Sequence, residues 1–197
     1  MLLAVDKPAG LLSVPGRGVA NRDCVAARVQ AAAPDALVVH RLDQATSGVM
    51  LFARGAAAQR ALSIAFAARR IAKRYESVVH GLVGDEAGEI DLPLVSDWPN
   101  RPRQKVDHTH GKPSLTRWRV LSRDSAAKTT RLQLEPVTGR SHQLRVHLAA
   151  IGHAIVGDTL YAYAASPPPR LLLHACELRL PHPADGRTLT IVSPVPF

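Results

Sequence analysis

Leu37-Val38-Val39-His40-Arg41-Leu42-Asp43-Gln44-Ala45-Thr46-Ser47-Gly48-Val49-Met50-Leu51-Phe52-Ala53 consists of two short apolar runs enclosing a polar loop. Runs this short do not make helices and fit buried strands. The first, Leu37-Val38-Val39, delivers His40-Arg41-Leu42-Asp43 at its end, and Val49 to Ala53 is predicted as a second strand. An Asp flanked by Arg41, Thr46 and Ser47 at the mouth of a sheet has two readings. It can serve as a nucleophile or base, or it can stabilise its own loop as an Asx turn.

Upstream, Leu2 to Val5 is a predicted buried strand closed by the turn Lys7-Pro8-Ala9-Gly10. Asn21 or Asp23 is placed to cap a helix running to Ala33, which Pro34 stops. Downstream, a helix is predicted from Ala56 to Arg70, with Ala58, Leu62, Ala65 and Phe66 on one face. Arg69 and Arg70 would then suit the negative end of its dipole. Lys73 to Val83 and Thr129 to Val137 are predicted strands; in the second, Thr130, Leu132 and Leu134 alternate with Arg131, Gln133 and Glu135. Gly139-Arg140-Ser141 opens a short helix with Ser141 as candidate cap, Leu144, Leu148 and Ile151 as buried stripe, and Gly152 as its end. Leu171 to Leu180 is a last strand. This mixed order favours an α+β architecture over a doubly wound sheet.

The 197 residues fit one domain, or two small lobes sharing a core. A chain of this size buries about 70% of its unfolded surface and needs no covalent or metal staple. Cys24 and Cys176 lie far apart and in no metal-ligand spacing, as expected of reduced cysteines in an intracellular protein. The apolar N-terminal run ends at Asp6, too short for a signal-peptide core. No later stretch approaches membrane-spanning length, so a cytoplasmic protein without membrane contact is expected.

Charge is the first functional clue. The 25 lysines and arginines against 16 acidic residues leave +9, and twenty of those cations are arginine. Such an excess attracts polyanions and supports salt-sensitive nucleic-acid binding. A GC-rich genome would produce the same bias without any RNA partner. Trp98-Pro99-Asn100-Arg101-Pro102-Arg103-Gln104-Lys105 is a basic, proline-stiffened excursion. It reads as a solvated loop or as an RNA-contacting finger carrying Arg101, Arg103 and Lys105. With three Phe, three Tyr and two Trp, the chain has little material for stacking successive bases. Arginine contacts to phosphate and recognition of RNA shape are expected instead.

The second polar cluster is Gly139-Arg140-Ser141-His142-Gln143-Leu144-Arg145-Val146-His147. Its histidines, with His153, raise the possibility of a metal site. On a helix, however, His142 and His147 would lie roughly 140° apart, unlike an i, i+4 ligand pair. His108 and His110 could share a strand face but lack an evident third ligand, so no metal is expected. There is no G-x-S-x-G elbow, no P-loop and no dinucleotide fingerprint, which weakens hydrolase, NTPase and dehydrogenase readings.

Taken in order, these segments resemble the RluA-type pseudouridine synthases. His40-Arg41-Leu42-Asp43-Gln44-Ala45-Thr46-Ser47-Gly48 is similar to their catalytic motif. Asp6-Lys7-Pro8-Ala9-Gly10 is similar to the N-terminal motif, and Lys73-Arg74-Tyr75 to the segment carrying the active-site tyrosine. The cluster from Gly139 to His147, with Gly152-His153 and Gly157-Asp158, resembles the third motif; Leu171-Leu172-Leu173-His174-Ala175 resembles the final strand. Ala154 and Ala162 stand where many relatives have Pro and Gly, which affects local loop shape rather than the residues assigned to chemistry.

The resemblance implies a pseudouridine synthase fold: a mixed, mostly antiparallel sheet with flanking helices and loops around a central active-site cleft. It implies a single catalytic domain over residues 1–197, with no additional N-terminal RNA-binding module. It implies an isomerase that acts on uridines in structured RNA without a cofactor. Leu11 to Arg17 and Asp97 to Pro102 are most similar to the member acting on both 23S rRNA and the tRNA anticodon stem-loop. Asp43 takes the catalytic carboxylate role, Arg140 pairs with and orients it, and Tyr75 packs on the uracil. Arg41 fills the space left by the flipped nucleotide; Leu144, His40, Thr46, Arg101, Arg103 and Lys105 are the further substrate-binding candidates. A monomer is expected. The rival readings are a non-catalytic RNA-binding or ribosome-assembly factor and, less favoured by histidine spacing, a metal-dependent hydrolase.

Overall fold

The structure is a computed structural model that describes residues 2–162 and 170–197. The chain divides into two compact units, Met1–Lys73 with His174–Pro196, and Arg74–Leu173 with Phe197.

In the first unit the organising strand is β3, Ser47–Arg54, flanked by β1, Leu2–Lys7, and β2, Ala36–Val38. β1 runs antiparallel along β3, from Leu2 opposite Ala53 to Lys7 opposite Gly48. β2 pairs antiparallel with the end of β3. Of the later elements, β10 (Leu173–Pro181) pairs parallel with the start of β3, and β11 (Thr188–Val192) pairs antiparallel with β10. All of β3 except Arg54 is buried, which accounts for its continuous apolar sequence in place of alternation. Val49, Leu51 and Ala53 pack on Ala58, Leu62 and Ala65 of helix α2, Ala56–Ala67, with Ile71, Leu178 and Leu180 closing the cluster. Phe66 is partly buried against it, as the helical spacing predicts.

Gly48 is required where β3 meets β10. Its φ is +115°, and a Cβ there would collide with the carbonyl oxygen of Ala175 and lie 2.6 Å from its nitrogen. Gly48→Ala is therefore expected to destabilise the protein by roughly 3 kcal/mol or more, read from urea denaturation.

Helix boundaries differ from expectation for local reasons. Helix α1 spans Val25–Ala32 and is capped by Cys24, whose Sγ accepts the Ala27 N–H at 3.3 Å. Asp23 is instead held by Arg28 through bonds of 2.8 and 2.7 Å, while Asn21 lies in a 3-10 turn. The predicted cationic end of α2 is also corrected. The helix stops at Ala67, Arg69 turns left-handed with φ 55°, and Arg70 donates its N–H back to Ala65.

The second unit is built on antiparallel pairing of β4 (Ala72–His80), β9 (Thr129–Pro136), β8 (Leu115–Asp124) and β5 (Ala87–Asp91). A separate hairpin joins β6, Leu94–Ser96, to β7, Gln104–Val106. Strands β5 to β8 are absent from the sequence expectations, as is β11. Helix α3 spans Gln143–Ala150. Ser141 does not cap it: His142 occupies that place with φ 52° and no side-chain cap bond. Leu144 and Leu148 are buried as expected, but Ile151 is exposed beyond the last turn, and Gly152 follows at φ 85°. Mixed strand direction, mostly antiparallel, with helices packed beside the strands makes this an α+β protein.

Candidate active site

The loop between β2 and β3 is held by main-chain bonds on both sides of Asp43. On one side the Ser13 hydroxyl accepts the Leu42 N–H at 3.0 Å and donates to the Leu42 carbonyl at 2.6 Å. On the other, the Gln44 carbonyl accepts bonds from Lys7 Nζ and the Gly10 N–H, each at 2.9 Å. Gln44 Nε2 returns a bond to the Gly10 carbonyl. Lys7 is only 1% exposed, and its ammonium also donates to the carbonyls of Pro8 and Leu11. Three carbonyl acceptors for three N–H donors satisfy a buried ammonium. The Asp43 carbonyl accepts the Thr46 N–H at 3.1 Å, closing the turn that follows. Arg41 projects into solvent and Asp43 is half-buried.

His40 faces inward. Its Nε2 accepts the Leu51 N–H at 2.9 Å and its ring lies 4.8 Å from that of Phe66. Burial, with a smaller contribution from the Lys73 charge, pushes its pKa down to about 4. Lys73 is itself lowered to about 8, chiefly by burial and then by Arg69. A folded-state pKa below the unfolded value means that the unfolded chain takes up the proton first. The stability contributed by neutral His40 is present above about pH 6.5 and is lost as pH falls toward 4. His147, also lowered by burial, acts in the same direction. Between about pH 7 and pH 4, His40→Gln is expected to remove on the order of 3 kcal/mol of pH dependence, measured by denaturant titration.

In the second unit Tyr75 lies half-buried on β4, opposite Leu134 of β9. Arg140 is exposed on the turn before α3, with its Nε 3.4 Å from the Pro113 carbonyl. Its backbone is fixed by Gln143, whose Oε1 accepts the Arg140 N–H at 3.0 Å and the Thr138 hydroxyl at 2.7 Å. Gln143 Nε2 donates in turn to the Leu115 carbonyl and the Thr116 hydroxyl. Leu144 is buried in the α3 packing. Behind it Arg145 and Asp158 form a two-pronged pair, both bonds 2.8 Å, with side chains 4% and 0% exposed.

The basic excursion forms the tip of the β6–β7 hairpin and the start of β7, where Arg101, Arg103 and Lys105 are all exposed. The Arg101 guanidinium lies 3.3 Å from the centre of the Trp98 ring. Lys105 is 4.0 Å from the Asp107 carboxylate.

Thus His40, Arg41, Asp43 and Thr46 come together on one loop of the first unit. Tyr75, Arg140, Leu144 and the hairpin cations belong to the second. Each histidine of the second polar cluster, and His153 beyond it, has its own engagement. His142 Nδ1 is 2.8 Å from the Tyr161 hydroxyl, and His153 Nδ1 is 3.0 Å from the His80 carbonyl. His147 bonds Thr116 and the Leu92 carbonyl. Among the described residues no three His, Cys, Asp or Glu side chains gather as metal ligands, and no helix is long and apolar enough to cross a membrane. Sequence reasoning missed Ser13, Gln143, Arg145 and Tyr161 as organisers; Gln143 and Arg145 sat inside a recognised motif, but their partners lie elsewhere in the chain.

Residues 1–150 match the family described as RNA pseudouridylate synthase. The chain is 50% identical over 201 residues to the dual-specificity RNA pseudouridine synthase RluA of Vibrio vulnificus (strain CMCP6), covering 100% of this chain and 80% of that protein. It is 48% identical over 198 residues to the protein of the same name from Escherichia coli (strain K12), covering 100% and 90%. Among solved structures, Human RNA Pseudouridylate Synthase Domain Containing 1 superposes with a TM-score of 0.83 at 29% identity, covering 100% of this chain and 80% of that one. Human RNA Pseudouridylate Synthase Domain Containing 4 gives 0.80 at 25%, covering 99% and 85%. With residues 1–150 matching the family, half its residues identical to a curated member and a backbone that superposes on solved structures of that name, this chain belongs to the RNA pseudouridylate synthase family.

Proposed function

We propose that this chain, acting as a monomeric cytoplasmic enzyme with a single catalytic domain, isomerises specific uridines in 23S rRNA and in the anticodon stem-loop of tRNA. The observation that carries the chemistry is the clamp on Asp43: Ser13 holds the residue before it, and Lys7 with Gly10 holds the residue after it. Preorganisation of this kind keeps a reactive group in place. Dual specificity is in the name of relatives about half identical to this chain, and the two RNAs follow the resemblance of Leu11 to Arg17 and Asp97 to Pro102.

The reaction breaks the N1–C1′ bond of uridine and joins C5 to C1′. The C5 proton leaves and N1 gains one, so substrate and product are isomers and the net change draws on no cofactor. Asp43 supplies the carboxylate, whether it attacks C1′, attacks the base or removes the C2′ proton. Tyr75 supplies a ring for the uracil, with its hydroxyl serving the C5 proton. Arg140 supplies the guanidinium that favours the ionised carboxylate. Leu144 contributes apolar wall, and Thr46 and His40 shape the loop that presents Asp43. The target nucleotide leaves its stack at a cost of a few kcal/mol, and Arg41, exposed beside Asp43, fills the vacated space. Arg101, Arg103 and Lys105 bind phosphate on the flanking RNA.

The test is to map pseudouridine in tRNA and 23S rRNA transcripts incubated with the protein, by carbodiimide labelling and primer extension. Stops at discrete uridines in both RNAs are expected. Tight binding without any stop would favour the non-catalytic RNA-binding factor instead.

A further inference from the structure

We infer that Tyr161 is a positioning residue that ties the basic hairpin to the turn carrying Arg140, so that RNA held by the hairpin sets the placement of that turn. This rests on the isomerase reading above. The Tyr161 hydroxyl accepts the Gln104 N–H at 2.7 Å, at the first residue of β7, and lies 2.8 Å from Nδ1 of His142, the residue that opens α3. A phenol has one proton to give. A phenolic oxygen can accept the Gln104 N–H and also bond His142 Nδ1, with the imidazole tautomer deciding which of the two donates.

The two ends of this bridge are functional in different ways. Gln104 lies between Arg103 and Lys105, in the segment assigned to RNA phosphate. His142 follows Arg140 by two residues and holds a left-handed backbone, φ 52°, which leaves little freedom at the turn. Gln143 then grips the Arg140 N–H at 3.0 Å, so displacement of His142 is passed to Arg140.

The bridge is held from behind. Asp158 Oδ1 accepts the N–H groups of Leu160 and Tyr161 at 2.9 and 3.2 Å, while its carboxylate is locked to Arg145 of α3. Arg145 and Arg103 place their guanidinium carbons 5.2 and 5.5 Å from the Tyr161 ring centre. The His142 ring meets the same ring edge-on at 5.7 Å. A ring packed this way needs no hydroxyl to stay in place. The hydroxyl is the part that joins hairpin to turn.

The experiment uses a tRNA anticodon stem-loop transcript and measures affinity and the saturating single-turnover rate. The proteins are wild type, Tyr161→Phe, the hairpin variant Arg101→Ala/Arg103→Ala, and the combination of all three substitutions. Tyr161→Phe is expected to lower the saturating rate roughly tenfold while leaving Kd within about threefold. The hairpin variant is expected to lower affinity and saturating rate in wild type. Added to Tyr161→Phe it should lower affinity only, because the link is already cut. Additive rate losses, or an effect of Tyr161→Phe on thermal stability alone, would overturn the inference. Hydrogen exchange in the same proteins reads the link without turnover. Tyr161→Phe should speed exchange at the Gln104 amide and across residues 139–143 together, and acceleration confined to one segment also overturns it. Absence of turnover by the wild type with both segments responding would overturn the isomerase reading and leave the link standing.

Discussion

Asp158→Ala is expected to lower stability by about 3–5 kcal/mol, the cost of leaving a buried ion without its partner. The Arg145 guanidinium, 4% exposed, would lose both 2.8 Å bonds to the carboxylate, and the N–H groups of Leu160 and Tyr161 would lose their acceptor. Asp158→Asn should cost less, because an amide oxygen can still serve the two N–H groups while only the charge is removed. Urea denaturation of the three proteins checks both statements. Equal loss in Ala and Asn variants would show that the ion pair, and not the capping bonds, is what matters there. A change within about 1 kcal/mol for Ala would contradict the account of this pair.

Asp43→Asn is expected to lower the rate of isomerisation by a factor of about 10³ or more, which corresponds to roughly 4 kcal/mol of lost transition-state stabilisation. An amide is nearly the same size but can neither act as a carboxylate nucleophile nor remove a proton. The main-chain bonds of Leu42 and Gln44 that hold the loop survive the substitution. RNA affinity should therefore stay within a few-fold. Single-turnover rates with a stem-loop transcript, beside equilibrium binding of the same RNA, separate the two effects. A variant that loses affinity and rate together would point to a structural role for Asp43.

How much of this was legible in sequence depended on whether the relevant interaction was local. Strand β3 was readable because it is buried on both faces and its apolar run is unbroken; α2 was readable because Ala58, Leu62 and Ala65 recur at helical spacing. Strand β8 was not. Thr116, Trp118 and Val120 alternate with the exposed Arg117 and Arg119, but Thr116 is its one buried residue and the alternation breaks at the bulge between Val120 and Ser122, so the apolar run is short. Helix starts failed where a cap candidate had a better partner. Asp23 went to Arg28, leaving the cap to the weaker acceptor Cys24. Ser141 was passed over because the chain turns left-handed one residue later.

The candidate site divides the same way. Asp43, Tyr75 and Arg140 stand in motifs that could be read by resemblance. The groups that fix their surroundings could not, because each acts across a long stretch of chain. Ser13 reaches Leu42, Gln143 reaches Leu115, and Tyr161 reaches Gln104. His40 shows the limit most clearly. Placed three residues before Asp43 it reads as a substrate contact, yet its ring turns inward to accept the Leu51 N–H and stays neutral.

The most direct measurement of the central claim is release of tritium from C5-labelled uridine in tRNA and 23S rRNA transcripts, wild type beside Asp43→Asn. Isomerisation through Asp43 predicts release by the wild type, stoichiometric with the modified uridines, and none above background from the variant. Release that persists undiminished in Asp43→Asn, or no release by the wild type from either RNA despite binding, would contradict it.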